Sequence, residues 1–249
     1  MAKKDFSAIE QKLKSIFRVG DSFIYKEIIH KIIQSEKPTS SKGEPKTDLF
    51  VKTSVGNKID EFKISLKKEN ADFLENKIKL ERAKEIFGKD IQEILIKHTN
   101  KLKENFYKKK LIGFRGGDQN ITLGWRFELV NKGNGALSDL MILTNNQKVN
   151  VFSGTTLSDD KKNAFIGKER IDNSGIAQHI LVIKKDMESY DLQNYVDNLE
   201  PIEQYAKDTD IYFAFKASNY QVNKDKVEGD RDLVVWLDWK EINGYLRVD

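Results

Sequence analysis

Two stretches near the beginning of the chain carry apolar residues at helical spacing. The first contains Phe6, Leu13 and Phe17, and the second extends from Asp21 to Ile33. Apolar residues that recur every three to four positions are typical of amphipathic helices, and an Asp or Ser at the start favours an N-cap. The pattern therefore predicts two helices, followed by a loop in the Pro-, Ser- and Gly-containing residues 35–44.

A β-hairpin is predicted after this loop. Residues 49–51 form a short apolar run, Gly56-Asn57 is a favourable hairpin turn, and residues 59–66 alternate between apolar and polar. Because successive side chains of a strand point to opposite faces, one face of this hairpin is expected to be apolar and the other to carry polar groups.

After the hairpin, the residue pattern is first typical of helices and then typical of strands. Residues 68–110 contain few helix breakers and predict two or three helices, before a Gly-containing loop at 114–120. A further helix is expected at 191–205, and short strands are expected at 121–130, 140–143, 149–152, 180–183, 211–215 and 233–237. The predicted fold class is α/β or α+β. Residues 1–115 would hold the helices and the hairpin, and residues 116–249 a β-rich remainder, either as two parts or as a single domain.

Composition limits the chemistry that the chain can support. The 249 residues are 39% apolar and 33% charged, with no Cys and three scattered His. This excludes disulfides, zinc ribbons, iron–sulfur clusters and a thiol nucleophile, so that any metal is expected to be bound by oxygen. The sequence shows neither an apolar run long enough to cross a bilayer nor a secretory signal, and we expect a cytoplasmic location with no membrane partner.

Positive charge is concentrated in the first part of the chain. Residues 1–150 hold 30 Lys/Arg against 20 Asp/Glu, a net charge of +10, whereas residues 151–249 hold 13 against 19, a net charge of −6. An excess of this size favours a polyanionic partner such as double-stranded DNA. A lysine-rich solvated surface would give the same count, so charge alone does not decide between the two.

Reactive side chains gather in the predicted hairpin. The segment GEPKTD, residues 43–48, brings an acid to the start of the first strand, and Ser65-Leu66-Lys67 lies in the second strand. With a two-residue turn at Gly56-Asn57, the numbers of facing residues sum to 113, so that Asp48 faces Ser65. An Asp at a strand start can bind Mg²⁺ against a phosphate, and a neighbouring Lys can stabilise the negative charge that develops there.

This arrangement resembles the PD-(D/E)xK nuclease superfamily, in particular type II restriction endonucleases that carry a PKTD…(S/N)xK version of the motif. The similarity covers residues 20–70 and rests on Pro45-Lys46-Thr47-Asp48 and Ser65-Leu66-Lys67. It implies a restriction-endonuclease-like core, in which a central mixed β-sheet is flanked by helices. It also implies Mg²⁺-dependent hydrolysis of phosphodiester bonds in duplex DNA by a monomer or a homodimer.

Two candidates compete for the second half of the motif. Glu61-Phe62-Lys63 fits the ExK pattern literally, whereas Ser65-Leu66-Lys67 lacks the acid. In the 113 register Glu61 faces Lys52 and lies about 13 Å along the strand from the partner of Asp48, too far for one metal ion. We therefore favour Asp48 with Ser65 and Lys67 over Asp48 with Glu61 and Lys63. The second set stays open, because a turn shifted by one or two residues would change the register.

The loss of the acid leaves the metal short of a charged ligand. The resemblance implies that a helix preceding the motif supplies a carboxylate, and Glu27 lies in the second predicted helix. Glu27 is therefore a candidate metal ligand, although a helical ion pair with Lys31 at i,i+4 would explain it equally well. Glu44 is a weaker candidate, since a Glu in a loop usually faces water.

Candidate DNA contacts lie around the motif and in the loop at 114–120. Lysines are suited to phosphates, whereas Arg, Gln and Asn can read base edges. An ordinary connecting loop has a similar composition, and Trp125 and Trp236 are expected in or beside the core. The candidates are Lys42, Lys46, Lys68 and residues 108–110 for phosphates, and Arg115, Gln119 and Asn120 for base edges.

Three functions are compatible with these observations. The first is a type II restriction endonuclease, and the second is a DNA-repair, recombination or mobile-element nuclease of the same superfamily. The third is a non-catalytic nucleic-acid-binding protein in which Lys63, Lys67 and Lys68 contact phosphates. Metal dependence separates the enzymes from the binding protein, because only an enzyme would need Mg²⁺ and Asp48.

Overall fold

The computed structural model describes residues 11–69, 73–75, 80–89, 91–115, 117–133, 135–184, 187, 189–228 and 233–248. The helices in chain order are α1 (residues 11–16), α2 (Leu80–Phe87), α3 (Ile91–Lys101), α4 (Lys103–Tyr107), α5 (Asn145–Ser153), α6 (Asp159–Lys162), α7 (Leu192–Asp197) and α8 (Ile202–Asp208). The strands are β1 (Ser22–Tyr25), β2 (Ile28–Glu36), β3 (Leu49–Val55), β4 (Lys58–Lys68), β5 (Phe73–Glu75), β6 (Ile112–Arg115), β7 (Asp118–Val130), β8 (Ser138–Leu140), β9 (Phe165–Ile166), β10 (Glu169–Arg170), β11 (His179–Ile183), β12 (Glu200–Pro201), β13 (Tyr212–Gln221), β14 (Lys226–Val227), β15 (Val235–Trp236), β16 (Trp239–Ile242) and β17 (Tyr245–Val248). The fold is thus mixed α and β, as predicted.

The chain divides into two units, each built on its own sheet. Unit 1 comprises Met1–Ala71 and Thr144–Thr209, and unit 2 comprises Asp72–Leu143 and Asp210–Asp249. This division differs from the boundary expected at 115/116, which falls inside unit 2 between β6 and β7. The expected boundary rested on a change from a helical to a strand-like residue pattern. That change occurs within unit 2, because α2, α3 and α4 belong to the same unit as the sheet that follows them.

The sheet of unit 1 is mixed and has the strand order β1-β2-β3-β4-β11-β12. Strands β1 to β4 form an antiparallel meander, and β11 pairs with β4 in parallel. Parallel neighbours require a long crossover connection. Here the connection contains α5 and α6 as well as the first segment of unit 2, so that residues far apart in sequence lie on adjacent strands.

One face of this sheet carries a hydrophobic core. Apolar side chains of β3, β4 and β11 pack there with residues of α1 and α7. Residues that alternate with them, such as Phe50, Ser65 and Ile180, point to the opposite face and are also buried. The polar face expected for the hairpin is therefore largely shielded from water. The core residues are Leu13, Phe17, Phe23, Ile32, Leu49, Val51, Phe62, Ile64, Leu66, Leu181, Met187, Tyr195, Val196 and Leu199.

The helix predicted from Asp21 to Ile33 is wrong. These residues form the hairpin β1–β2, which turns at Lys26 and Glu27 with φ values of 50° and 65°. Isoleucines at pairs of adjacent positions fit a helical stripe, but β-branched residues favour strands, and from Ile29 to Ile33 exposed and buried positions alternate along β2. Ile32 is fully buried, whereas Ile29 is 66% exposed.

Two histidines lie among aromatic rings on the core face. His179 stacks on Phe62 with ring centroids 5.6 Å apart, and its Nε2 lies 3.0 Å from the hydroxyl of Tyr25. Burial lowers the pKa of His179 to about 4, helped by the nearby charge of Lys26, and burial also lowers the pKa of His30. Both imidazoles are therefore neutral in the folded protein at pH 7.

We expect acidification to destabilise the fold through His179. Above pH 6.5 the imidazole is neutral in both states. Between pH 6.5 and about 4 the unfolded chain binds a proton that the folded chain does not, so the free energy of unfolding decreases as the pH is lowered. For a pKa lowered from 6.5 to about 4 the loss approaches ~3 kcal/mol. Urea unfolding at pH 7, 5.5 and 4.5 should give a weaker pH dependence for His179→Gln than for the wild type. Equal dependence in both proteins would contradict this assignment.

Unit 2 is built on a sheet centred on β7, in which all named pairings are antiparallel. Strand β13 pairs along one edge of β7, and β6, β15 and β5 pair in succession along its other edge. Phe106 of α4 packs edge-on against Trp125, with ring centroids 4.8 Å apart. Trp125 is buried, as predicted, whereas Trp236 is 72% exposed, contrary to the expected core position.

Two other regions of the chain differ from expectation. The predicted loop at 114–120 is the hairpin β6–β7, closed by the pair Arg115↔Asp118. The strand predicted at 149–152 belongs to α5, which begins with a capping box of Thr144 and Gln147 and ends at Gly154 in the left-handed conformation. Among the helices in the described part of the chain, none is both long enough and apolar enough to cross a bilayer.

Candidate active site

Asp48 stands immediately before β3, where the chain enters the centre of the unit 1 sheet. The preceding backbone is fixed from outside the hairpin, since the carbonyl of Gly175 accepts hydrogen bonds from the N–H groups of Lys46 (3.0 Å) and Thr47 (3.2 Å). The N–H of Asp48 donates to the carbonyl of Ile64 at 2.8 Å, next to Leu49↔Ile64, the last pair of the two strands at this end. The Pro-Lys-Thr segment thus delivers the carboxylate to a defined place.

The carboxylate of Asp48 lies against the facing strand. Its Oδ2 accepts a hydrogen bond from the N–H of Leu66 at 2.7 Å and one from the hydroxyl of Ser65 at 3.3 Å. Strand pairing runs from Val55↔Lys58 with facing numbers that sum to 113. The predicted register is therefore confirmed, and it places Asp48 opposite Ser65.

The literal ExK string lies elsewhere on β4. Glu61 faces Lys52, four residues along the strand from Ser65, which corresponds to about 13 Å. The Oε2 of Glu61 lies 3.9 Å from Nζ of Lys63, so these two side chains pair with each other. One ion could not contact both Asp48 and Glu61 across that distance. The geometry thus favours Ser65-Leu66-Lys67 as the partner of Asp48.

Two lysines flank Ser65 on its own face of β4. Lys67 lies two residues after Ser65 and is half-buried, and Lys63 lies two residues before it and is only 7% exposed. Desolvation on burial lowers the pKa of Lys63, and the charge of Glu61 partly opposes this effect. An amine of lowered pKa can act in proton transfer, so Lys63 stays in contention as a basic group of the site.

Glu27 does not belong to this site. The helix that was expected to carry it does not exist, and Glu27 is an exposed residue of the β1–β2 turn. Lys31 already pairs with Ser54, six residues along β3 from Asp48, so Glu27 lies more than roughly 20 Å from the Asp48 end of the sheet. The other weak candidate, Glu44, is exposed, and its carboxylate lies 4.0 Å from Nζ of Lys37.

Glu36 is a carboxylate that the sequence did not identify. It pairs with Phe50, whose side chain points to the same face as that of Asp48, two residues earlier. Glu36 and Asp48 are thus diagonal neighbours, with Cα atoms about 7–8 Å apart. A Cβ added to Gly167 would lie 3.3 Å from Oε2 of Glu36, so the absence of a side chain there leaves room for this carboxylate. Only the β2–β3 pairing reveals the neighbour, because the predicted loop began before Glu36.

The donor set of this site fits a hard divalent cation. Asp48 and Glu36 offer carboxylate oxygens, and Ser65 offers a hydroxyl, which are ligand types that Mg²⁺ accepts while it retains several waters. The part of the chain that the structure describes contains no group of three or more His, Cys, Asp or Glu placed to hold a metal. A bound Mg²⁺ would therefore rely on two protein carboxylates and on water or phosphate oxygens.

The predicted DNA contacts fall into two groups. Lys46 is half-buried, with its aliphatic part over Gly154, and Lys68 is half-buried at the end of β4. In unit 2, Gln119 is half-buried in β7, and Arg115 ends β6 with a side chain outside those the structure describes. Asn120 is only 9% exposed. Its Nδ2 donates to the carbonyl of Asp118, so this amide group is bonded within the hairpin.

Comparison with known proteins gives no match to any family model, curated protein or solved structure. The resemblance to a nuclease motif stays a prediction, and its support is the pairing of Asp48 with Ser65 beside Lys67.

Proposed function

We propose that this protein is a Mg²⁺-dependent type II restriction endonuclease that hydrolyses phosphodiester bonds in duplex DNA at a specific sequence. The observation that carries the proposal is the position of the Asp48 carboxylate, bonded to Ser65 and to the N–H of Leu66, with Lys67 two residues further along the same face. An acid at a strand start beside a serine and a lysine is the arrangement that the motif resemblance requires.

Each side chain of the site has a distinct role in this proposal. Asp48 and Glu36 would hold the metal, and Ser65 would orient Asp48 through the hydroxyl that it donates to Oδ2. The cation, when bound, would polarise the phosphate and lower the pKa of a bound water. Lys67 would neutralise negative charge on the scissile phosphate and help to orient the attacking water. Burial of Ser65 and Lys63 keeps bulk water from this face, which strengthens these electrostatic interactions.

The sheet of unit 1 also supports the proposal. The resemblance implies a central mixed sheet flanked by helices, and here antiparallel β3 and β4 with parallel β11 bring the motif residues to adjacent strands. Helix α7 supplies Tyr195 and Val196 to the core on one face, and α8 contacts β11 and packs against α5. A nuclease core of this kind is the best account of why the acid, the serine and the lysine converge.

A specific observation favours a second candidate, the non-catalytic nucleic-acid-binding protein. The Asp48 carboxylate satisfies the N–H of Leu66 where the ladder between β3 and β4 ends, so Asp48 also has a structural role. In such a protein Lys63, Lys67 and Lys68 would contribute positive charge only. Removal of Mg²⁺ would then leave the function unchanged.

Digestion of plasmid DNA with the purified protein tests the proposal. With Mg²⁺ we expect discrete fragments whose ends share one sequence when they are sequenced, and with EDTA we expect none. Heterogeneous ends would favour a repair, recombination or mobile-element nuclease. Binding without any cleavage would favour the non-catalytic protein and contradict the enzymatic proposal.

The role of Glu36 is tested separately by the metal requirement. Glu36→Gln keeps the size of the side chain but removes one of two charges from the donor set, so we expect the Mg²⁺ concentration for half-maximal cleavage to rise at least about tenfold. Glu44→Gln removes an exposed carboxylate from the loop before the site and serves as the matched control. Equal Mg²⁺ requirements for Glu36→Gln and the control would remove Glu36 from the site.

A further inference from the structure

The β6–β7 hairpin of unit 2 exposes large apolar side chains. Phe114 is 80% exposed, and Ile112, two residues earlier and on the same face of β6, is 38% exposed. A side chain of this size normally gains about 2 kcal/mol by burial. Contiguous exposed apolar groups mark interaction sites more often than scattered ones do.

The apolar surface continues across the neighbouring strands. Ile112 pairs with Ile121, Ile121 with Tyr220, and Tyr220 with Val227, so these four side chains form one row on the same face of the sheet. Val227 is 50% exposed at the far end of the row. Phe114 stands two pairs further towards the tip of the hairpin, on the same face as this row.

A run of exposed lysines shortly precedes the aromatic residue in the chain. Lys108, Lys109 and Lys110 are exposed and end one residue before β6, and a Cβ added to Gly113 would lie 4.0 Å from Cδ of Lys110. Because Gly113 alternates with Phe114 along β6, the side chain of Lys110 lies along the face of β6 opposite to Phe114. An exposed aromatic ring four residues after a run of three exposed lysines matches the chemistry of nucleic acids, in which stacked bases alternate with phosphates.

The tip of the hairpin is braced. Lys224 forms an ion pair with Asp118, and Nδ2 of Asn223 donates to the carbonyl of Gly117 at 3.4 Å. These contacts come from the 3₁₀ turn Val222–Lys224, which follows β13. Separating two base pairs costs free energy, so a side chain that acts as a wedge must be held rigidly, and this bracing supplies the rigidity.

We propose that the β6–β7 hairpin inserts Phe114 between adjacent base pairs of duplex DNA while Lys108, Lys109 and Lys110 neutralise neighbouring phosphates. The choice of duplex DNA as the partner rests on the proposed function. The wedge separates the inserted base step and unwinds the duplex, which places a DNA-deforming element in unit 2, in addition to the catalytic site of unit 1.

A plasmid-unwinding experiment tests the insertion of Phe114 under conditions in which the DNA is not cleaved. The full chain carrying Asp48→Asn is bound to relaxed plasmid in the presence of Mg²⁺. A topoisomerase then removes the superhelical strain that unwinding by the bound protein produces. After deproteinisation, the linking number is determined from the distribution of topoisomers. We expect a lower linking number with this protein and no change when Phe114→Ala is added. Ile142→Ala is the matched control, because Ile142 is 87% exposed in unit 2 but lies outside the hairpin.

Binding measurements give a second readout. Phe114→Ala should weaken binding to a DNA duplex about tenfold, and joint Lys108→Gln, Lys109→Gln and Lys110→Gln should reduce the slope of log affinity against log salt by about 2–3. Unwinding that is equal with and without Phe114 would overturn the inference. So would a change from dimer to monomer in Phe114→Ala with unaltered DNA binding, because the apolar patch would then be a self-association surface.

The two proposals fail in different ways. If the wild-type protein never cleaves DNA but unwinds it in a Phe114-dependent way, the insertion of Phe114 is supported and the nuclease proposal is contradicted. Normal cleavage without Phe114-dependent unwinding would support the nuclease proposal and contradict the insertion of Phe114. Failure to bind duplex DNA under any of these conditions would overturn both.

Discussion

Asp48→Asn is expected to lower the rate of Mg²⁺-dependent plasmid cleavage at least about 100-fold while the protein stays folded. The amide oxygen of Asn can still accept the hydrogen bonds from the N–H of Leu66 and the hydroxyl of Ser65, which in the wild type are 2.7 and 3.3 Å long. What is lost is the negative charge that would bind the cation. Initial cleavage rates at saturating Mg²⁺, measured beside thermal unfolding curves, separate these two effects.

Variants of the neighbouring strand serve as controls for this result. Glu61→Gln removes a carboxylate of β4 that lies about 13 Å along the strand from Ser65, and we expect it to leave cleavage within a few-fold of the wild type. Lys67→Met should lower cleavage strongly. Inactivity of Glu61→Gln and Lys63→Met together with an active Lys67→Met would select the ExK string instead. Full activity of Asp48→Asn would end the case for a nuclease.

The hairpin of β3 and β4 could be predicted because its signals are local. Gly56-Asn57 specifies a two-residue turn, and a turn of known length fixes every facing pair of the two strands. The pairing of Asp48 with Ser65, seventeen residues away, followed from this single feature. Burial of the reactive face could not be predicted, because its cover comes from residues after position 144.

The prediction failed where one pattern fits two structures. Isoleucines between positions 28 and 33 satisfy a helical stripe and also a strand, and the pairing of β2 with β3 decided between them. For α5 the sequence contains a local helix signal. Thr144 and Gln147 form a capping box and Gly154 ends the helix, whereas the valines between them suggested a strand.

The site itself was recoverable only in part, for the same reason. Asp48, Ser65 and Lys67 are joined by one short turn, so sequence alone could place them together. Glu36 reaches the site through the pairing of a separate strand, which no local pattern reports. The pairing of strands that are distant in sequence, such as β4 with β11, is determined by tertiary packing and is visible only in the structure.

The segment that delivers Asp48 depends on close contact with Gly175. Its N–H donates to the carbonyl of Lys162, and its carbonyl accepts from the N–H groups of Lys46 and Thr47. A Cβ at position 175 would lie 1.8 Å from the backbone oxygen of Lys161. Gly175 does not have a positive φ, so the requirement for glycine is steric and does not arise from its backbone conformation.

Gly175→Ala is therefore expected to destabilise the fold by about 3 kcal/mol, because a backbone oxygen must move to admit the methyl group. The displaced strand entry should also weaken Mg²⁺-dependent cleavage, even in the fraction that remains folded, because Asp48 would no longer be held against Ser65. Urea unfolding and Mg²⁺ titration of cleavage measure the two effects. Gly133→Ala is the control, since within the described residues its added Cβ would meet the ring of Tyr212 alone, at 3.7 Å, an ordinary contact that should change stability by less than about 0.5 kcal/mol. Equal stability of the two variants would mean that the contact around Gly175 is not what holds the entrance to β3.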